Sequence, residues 1–104
     1  MKLSRKQRNF LKASNDLISY GLSLGYEFTY GDCYRAKTCS HGHKLSTHRE
    51  KLAIDLNLFV DGKYITSGGH PAWVILHNYW DQLGGSKRII KDMNHFSFKH
   101  NGIR

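Results

Sequence analysis

Acidic residues are scarce in this chain. Eight Asp and Glu stand against 16 Lys and Arg, for a formal net charge of +8. Such a surface favours polyanions: nucleic acid, anionic lipid or an acidic cell wall. Cysteine is scarce too. Cys33 and Cys39 are the only two, too few for a disulfide framework, and in a reducing compartment they are not expected to pair. Proline occurs once, at Pro71, where it suits the first turn of a helix. No apolar run approaches the ~20 residues that cross a bilayer. The first residues are charged and lack the apolar stretch of a secretory signal. Synthesis in a cytoplasm is therefore expected, with help needed for any action outside it. Repeats, low-complexity tracts and linkers are also lacking.

What is present suffices for one packed domain spanning residues 1–104. Hydrophobic residues make up 39% and aromatic residues 12% of the chain, which argues against disorder. Basic residues are spread along it, with a denser patch at Lys2, Arg5, Lys6, Arg8 and Lys12. That patch reads first as a solvated helix face.

The pattern predicts a helix over residues 5–24. Ser4 and Gln7 have capping-box spacing, Phe10, Leu11, Leu17, Ile18 and Leu24 recur near helical spacing, and Gly25 suits the residue after the helix end. A short strand is expected over 26–30 and a loop over 33–45. From Leu52 to Phe59 the chain alternates cleanly. Leu52, Ile54, Leu56 and Leu58 share one face; Ala53, Asp55 and Asn57 share the other. Asp61-Gly62 signals a two-residue hairpin, with Tyr64 and Ile65 starting the return strand. A second helix starts at Pro71, carries Trp73, Leu76, Tyr79 or Trp80, and Leu83, and stops at Gly84-Gly85. A basic connection over 86–91 leads to a last strand over 92–98. Phe96 and Phe98 share one of its faces, His95 and Ser97 the other.

Both strands thus carry apolar groups on one face and a possible ligand on the opposite face. His48 lies just upstream of the first. His48, Asp55 and His95 form a two-histidine, one-carboxylate set. Three such ligands, with a fourth position left to water, are the catalytic zinc pattern, and zinc lowers the pKa of that water toward ~7. Asp92, three residues before His95, could serve as general base without being a ligand. Arg35 could polarise a substrate carbonyl or hold a substrate carboxylate. By spacing alone, a blander reading stays open. His48 and His95 would be polar residues at strand ends, and Asp55 a turn cap.

These residues also carry a resemblance. Ser46-x-His48, Leu52-Ala53-Ile54-Asp55-Leu56-Asn57-Leu58-Phe59, Gly62-Lys63-Tyr64, Tyr79-Trp80-x-x-Leu83-Gly84-Gly85 and Asp92-x-Asn94-His95-Phe96-Ser97 stand in one order along the chain. Together they resemble the phage-type members of the VanY-like zinc peptidases. That family includes D-alanyl-D-alanine carboxypeptidases and phage L-alanyl-D-glutamate endopeptidases of endolysin type. The segment from Gly25-Tyr26-Glu27 through Tyr34-Arg35 is similar to the one carrying the family's substrate-binding arginine. The resemblance implies an α+β fold of Hedgehog/DD-peptidase type, a small antiparallel sheet with helices on one face. It implies Zn2+ held by His48, Asp55 and His95, Asp92 as general base, Arg35 on the substrate, and the peptidoglycan stem peptide as that substrate. The expected enzyme is a monomer that acts on the bacterial wall after release or as part of a virion, with the anionic wall a further partner. Between endopeptidase and carboxypeptidase the phage-type strand and hairpin favour the former. Related phage enzymes carry a Trp-Gly-Gly-type stretch where this chain has residues 86–91.

Two other readings compete. Cys33, Cys39, His41 and His43 could bind a structural zinc, but Cys-x5-Cys-x-His-x-His is not a zinc-finger spacing, and a histidine-rich loop is preferred. A nucleic-acid-binding or nuclease module would suit the charge. The sequence shows no recognised nucleic-acid motif and no stacking platform, so no nucleic acid is expected as a partner.

Overall fold

The computed structural model describes residues 2–31 and 52–99. Among these, the chain runs α1 (Leu3–Ser23), β1 (Glu27–Tyr30), β2 (Ala53–Val60), β3 (Lys63–Tyr64), α2 (Pro71–Gln82), a 3-10 turn (Ile90–Asp92) and β4 (His95–Ser97). The architecture is α+β, a small antiparallel sheet with two helices, as the pattern predicts. No helix among the described residues is long and apolar enough to cross a membrane.

The sheet is built around β2, which pairs antiparallel with β1, β3 and β4. Hydrogen bonds assign the edges. Leu56 N–H donates to Asn94 O on the β4 side, and Ile65 N–H donates to Leu58 O on the β3 side. Residues two apart on a strand aim their backbone groups the same way. β3 and β4 therefore share one edge of β2, end to end, while β1 takes the other, where Gly31 N–H donates to Asp55 O.

The alternation on β2 separates two faces as expected. Leu52, Ile54, Leu56 and Leu58 join Phe10, Ala13 and Leu17 of α1 and Ala72, Trp73, Leu76 and Trp80 of α2 in one core. Each fully buried leucine of this kind contributes about 1.5–3 kcal/mol. The helices also touch directly, Tyr20 stacking on Tyr79 with ring centroids 4.1 Å apart. Phe96, from β4, sits at the centre of the aromatic part of the core. Trp80 meets it edge-on at 5.9 Å, Trp73 lies tilted to it at 6.3 Å, and His77 stacks on it at 4.3 Å.

Turns follow their residues. Gly25 takes φ +88°, and Asp61 and Gly62 take φ 54° and 75°. Two successive left-handed residues form the primed turn that a two-residue hairpin needs. One expected feature does not form. α1 begins at Leu3, so Ser4 lies inside the helix and caps nothing; Lys2 takes the N-cap position with no side-chain cap bond. Leu3 packs against the core, and burying it draws the helix start back past the capping box.

Gly85 shows why the Leu83-Gly84-Gly85 turn ends as it does. A Cβ there would run into the Trp80 indole. That indole is fully buried and donates from Nε1 to Ser97 O at 3.1 Å, holding β4 to α2. Gly85→Ala is expected to destabilise the chain by about 1–3 kcal/mol through overpacking, read as a lower urea midpoint at unchanged slope. An unchanged midpoint would show that the indole can yield.

Candidate metal centre

The antiparallel register of β2 and β4 places Ala53 opposite Ser97, Ile54 opposite Phe96, and Asp55 opposite His95. Phe96 and Ile54 turn to the core, so Asp55 and His95 face each other on the sheet's other side. Directly opposed residues have Cβ atoms only ~4.5–5.5 Å apart, and here Asp55 Oδ1 lies 3.2 Å from His95 Nδ1. Both side chains are buried, at 6% and 7% exposure. Burying an isolated carboxylate costs several kcal/mol; the histidine offsets that here.

Asp92 completes the group. It ends the 3-10 turn, is exposed, and brings a carboxylate oxygen to within 4.8 Å of the Asp55 and His95 donor atoms. The sequence pattern put Asp92 on the last strand; the structure puts it in the turn before it. The chemistry of the set fits a metal ion. Two ligands bound at ~2.0–2.1 Å in tetrahedral geometry are separated by about 3.3 Å, close to the Asp55–His95 distance. Asp55, Asp92 and His95 thus form a group able to hold a metal ion.

Gly31 fixes the approach to Asp55. Its N–H donates to Asp55 O at 2.8 Å, and a Cβ at this position would lie 3.1 Å from Asp55 Cβ. The close passage of the residue after β1 beside β2 leaves a side chain there little room.

Beside the group lies a cavity of about 250 Å³. Asp92 lines it with Asn57, Tyr64, Trp73, Lys91 and Asn94. It opens where the β2 edge passes from β3 to β4. Asn57 is held there, donating from Nδ2 to Thr29 Oγ1 at 3.1 Å. The connection over 86–91 is fastened as well. Ser86 N–H donates to Ser97 O, and Arg88 donates to Asn78 Oδ1 at 2.7 Å and pairs with Asp81 at 3.2 Å.

Two residues near the site escaped the sequence pattern. His70 caps α2, its Nδ1 accepting from Ala72 N–H at 3.1 Å. His77 lies fully buried on the core face of α2, and burial holds its pKa below the ordinary 6.5. Its signal was its place in the stripe. Trp73, Leu76, His77 and Trp80 are the i, i+3, i+4 and i+7 positions of one helix face, and a polar residue there must find a buried partner.

Of the expected site residues, the structure brings Asp55, Asp92 and His95 together. His48 and Arg35 lie outside the described residues, as do Cys33, Cys39, His41 and His43. In comparisons with known protein families, curated proteins and solved structures, nothing matches this chain.

Proposed function

We propose that this chain is a zinc-dependent peptidoglycan peptidase of the VanY-like kind, an L-alanyl-D-glutamate endopeptidase of endolysin type. The observation that carries the reading is the cross-strand pair of Asp55 and His95, with Asp92 between that pair and an open polar cavity. Chance spacing of a histidine and two aspartates does not predict such convergence; the ligand pattern does. An antiparallel sheet with both helices on its apolar face also suits a Hedgehog/DD-peptidase-like fold.

Asp55 and His95 would hold the metal from rigid strands, with His48 as the third protein ligand. Zinc, when bound, supplies a Lewis acid and lowers the pKa of water. Asp92, exposed at the cavity, accepts the proton of the attacking water and returns it to the departing amine. Arg35 engages the substrate's carbonyl or carboxylate. The cavity, lined by Asn57, Tyr64, Lys91 and Asn94, offers donors and one cation to a polar, acidic stem peptide. The net charge of +8 favours residence on an anionic wall. The chain would be made in the host cytoplasm and reach the wall on release.

Mass spectrometry of muropeptides after digestion of purified peptidoglycan tests this. New amino termini at D-glutamate are the expected result. Loss of a terminal D-alanine would make the chain a carboxypeptidase on the same site. Intact muropeptides with nicked or retained DNA would replace the reading with a nucleic-acid one.

A further inference from the structure

His77 is a polar side chain in an apolar place. Its ring is fully buried between α2 and β4, stacked on Phe96 at 4.3 Å and 15°. Nε2 lies 2.6 Å from the carbonyl oxygen of Met93. A carbonyl only accepts, so Nε2 carries the proton and donates. Burial favours the neutral ring, and in that form Nδ1 is left as an acceptor. Among the described residues Nδ1 has no hydrogen-bond partner. A buried acceptor left that way costs stability. For packing alone, a phenyl ring would serve as well or better. The gain from a histidine lies in the Nε2 bond.

The target of that bond is well placed. Met93 follows Asp92 and precedes Asn94 and His95, so its carbonyl lies in the short link between two members of the metal group. The neighbouring points are fastened too. Asp92 N–H donates to Ile89 O at 2.8 Å, and Asn94 O accepts from Leu56 N–H at 3.0 Å. The link is thus tied to β2 through Asn94 and to α2 through Met93. The Met93 side chain is itself packed in the core, so what the His77 bond adds is the orientation of the Met93 carbonyl and of the peptide units beside it.

We propose that His77 is a positioning residue: by donating from Nε2 to the Met93 carbonyl, it sets the Asp92–His95 turn so that His95 meets Asp55 while Asp92 faces the cavity. This rests on the metal-site reading above. Residues that orient ligands in this way change metal affinity by about 10–100-fold when lost.

The full chain carrying H77F or H77Q tests it. Phenylalanine keeps the ring and its stack on Phe96 but removes the donor; the glutamine amide can offer an N–H at similar reach. The expected H77F protein is folded, binds zinc about 10–100-fold more weakly in competition with a chromophoric chelator, and loses kcat more than KM. H77Q should regain most of the lost affinity and kcat. In the metal-free state, amide exchange at Asp92, Asn94 and His95 should be faster in H77F than in the parent. A folded H77F with parental zinc affinity, kcat and exchange overturns the proposal. Should H77F fail to fold, ring 15N shifts of the unmodified protein decide: a proton on Nε2 supports the role, and a proton on Nδ1 overturns it. If the parent binds no zinc and cleaves no peptidoglycan, the functional reading falls. The exchange and tautomer measurements would still judge the hold of His77 on this turn.

Discussion

The Asp55→Asn chain is expected to fold and to hold no zinc. Asparagine has the shape of aspartate, and its amide oxygen can still accept from the His95 ring 3.2 Å away. The buried strand pair therefore keeps its packing and a hydrogen bond. What it loses is the anionic oxygen that Asp55 would bring to a two-histidine, one-carboxylate zinc site. In the unsubstituted chain, zinc bound as proposed and free at ~100 times its Kd should stabilise by about 2.7 kcal/mol, which for a domain of this size should raise Tm by on the order of 10 °C or more. The variant should show none of that rise and no zinc after dialysis. A variant that retained stoichiometric zinc would remove Asp55 from the site, and with it the interpretation of the β2–β4 pair.

Asp92→Asn should behave in the opposite way. The side chain is exposed and ends a short turn, so substitution should leave the core packed and the chain folded. Zinc content should stay stoichiometric. Peptidoglycan hydrolysis should fall by about 10²–10⁴-fold, the usual worth of a positioned general base. This variant also separates two roles that the geometry allows. Asp92 lies within reach of both other donor atoms, so it could serve as ligand or base. Loss of zinc together with activity would make it a ligand. Loss of activity with zinc retained makes it the base. Full activity would exclude both.

The fold was legible where one residue type has one physical consequence. The alternation from Leu52 to Phe59 set β2 and its buried face, Asp61-Gly62 set the hairpin, and Pro71 and Gly84 set the bounds of α2. The Asp55–His95 pair was legible for a similar reason. Each is a polar residue out of phase with the apolar positions of its own strand, and period-two alternation sends both to one face. Register was not legible. Nothing local says that Asp55 stands opposite His95 rather than two residues away; that is settled by Trp80 holding Ser97 and by Leu56 holding Asn94. Capping failed as a guide at Ser4 because the burial of Leu3 outweighed it. His77 was missed because its meaning lies in a carbonyl 16 residues away.

The pairing of β2 with β4 also has a consequence in time. Asp55 and His95 are 40 residues apart, and the chain between them must turn at the hairpin, wind α2 and cross its end at Gly85 before β4 can dock. Closing so long a loop costs entropy that is recovered only when the strands meet. The pair is complete only once β4 has docked on β2. A chain caught partway would have its hairpin and its helices, but no Asp55–His95 pair.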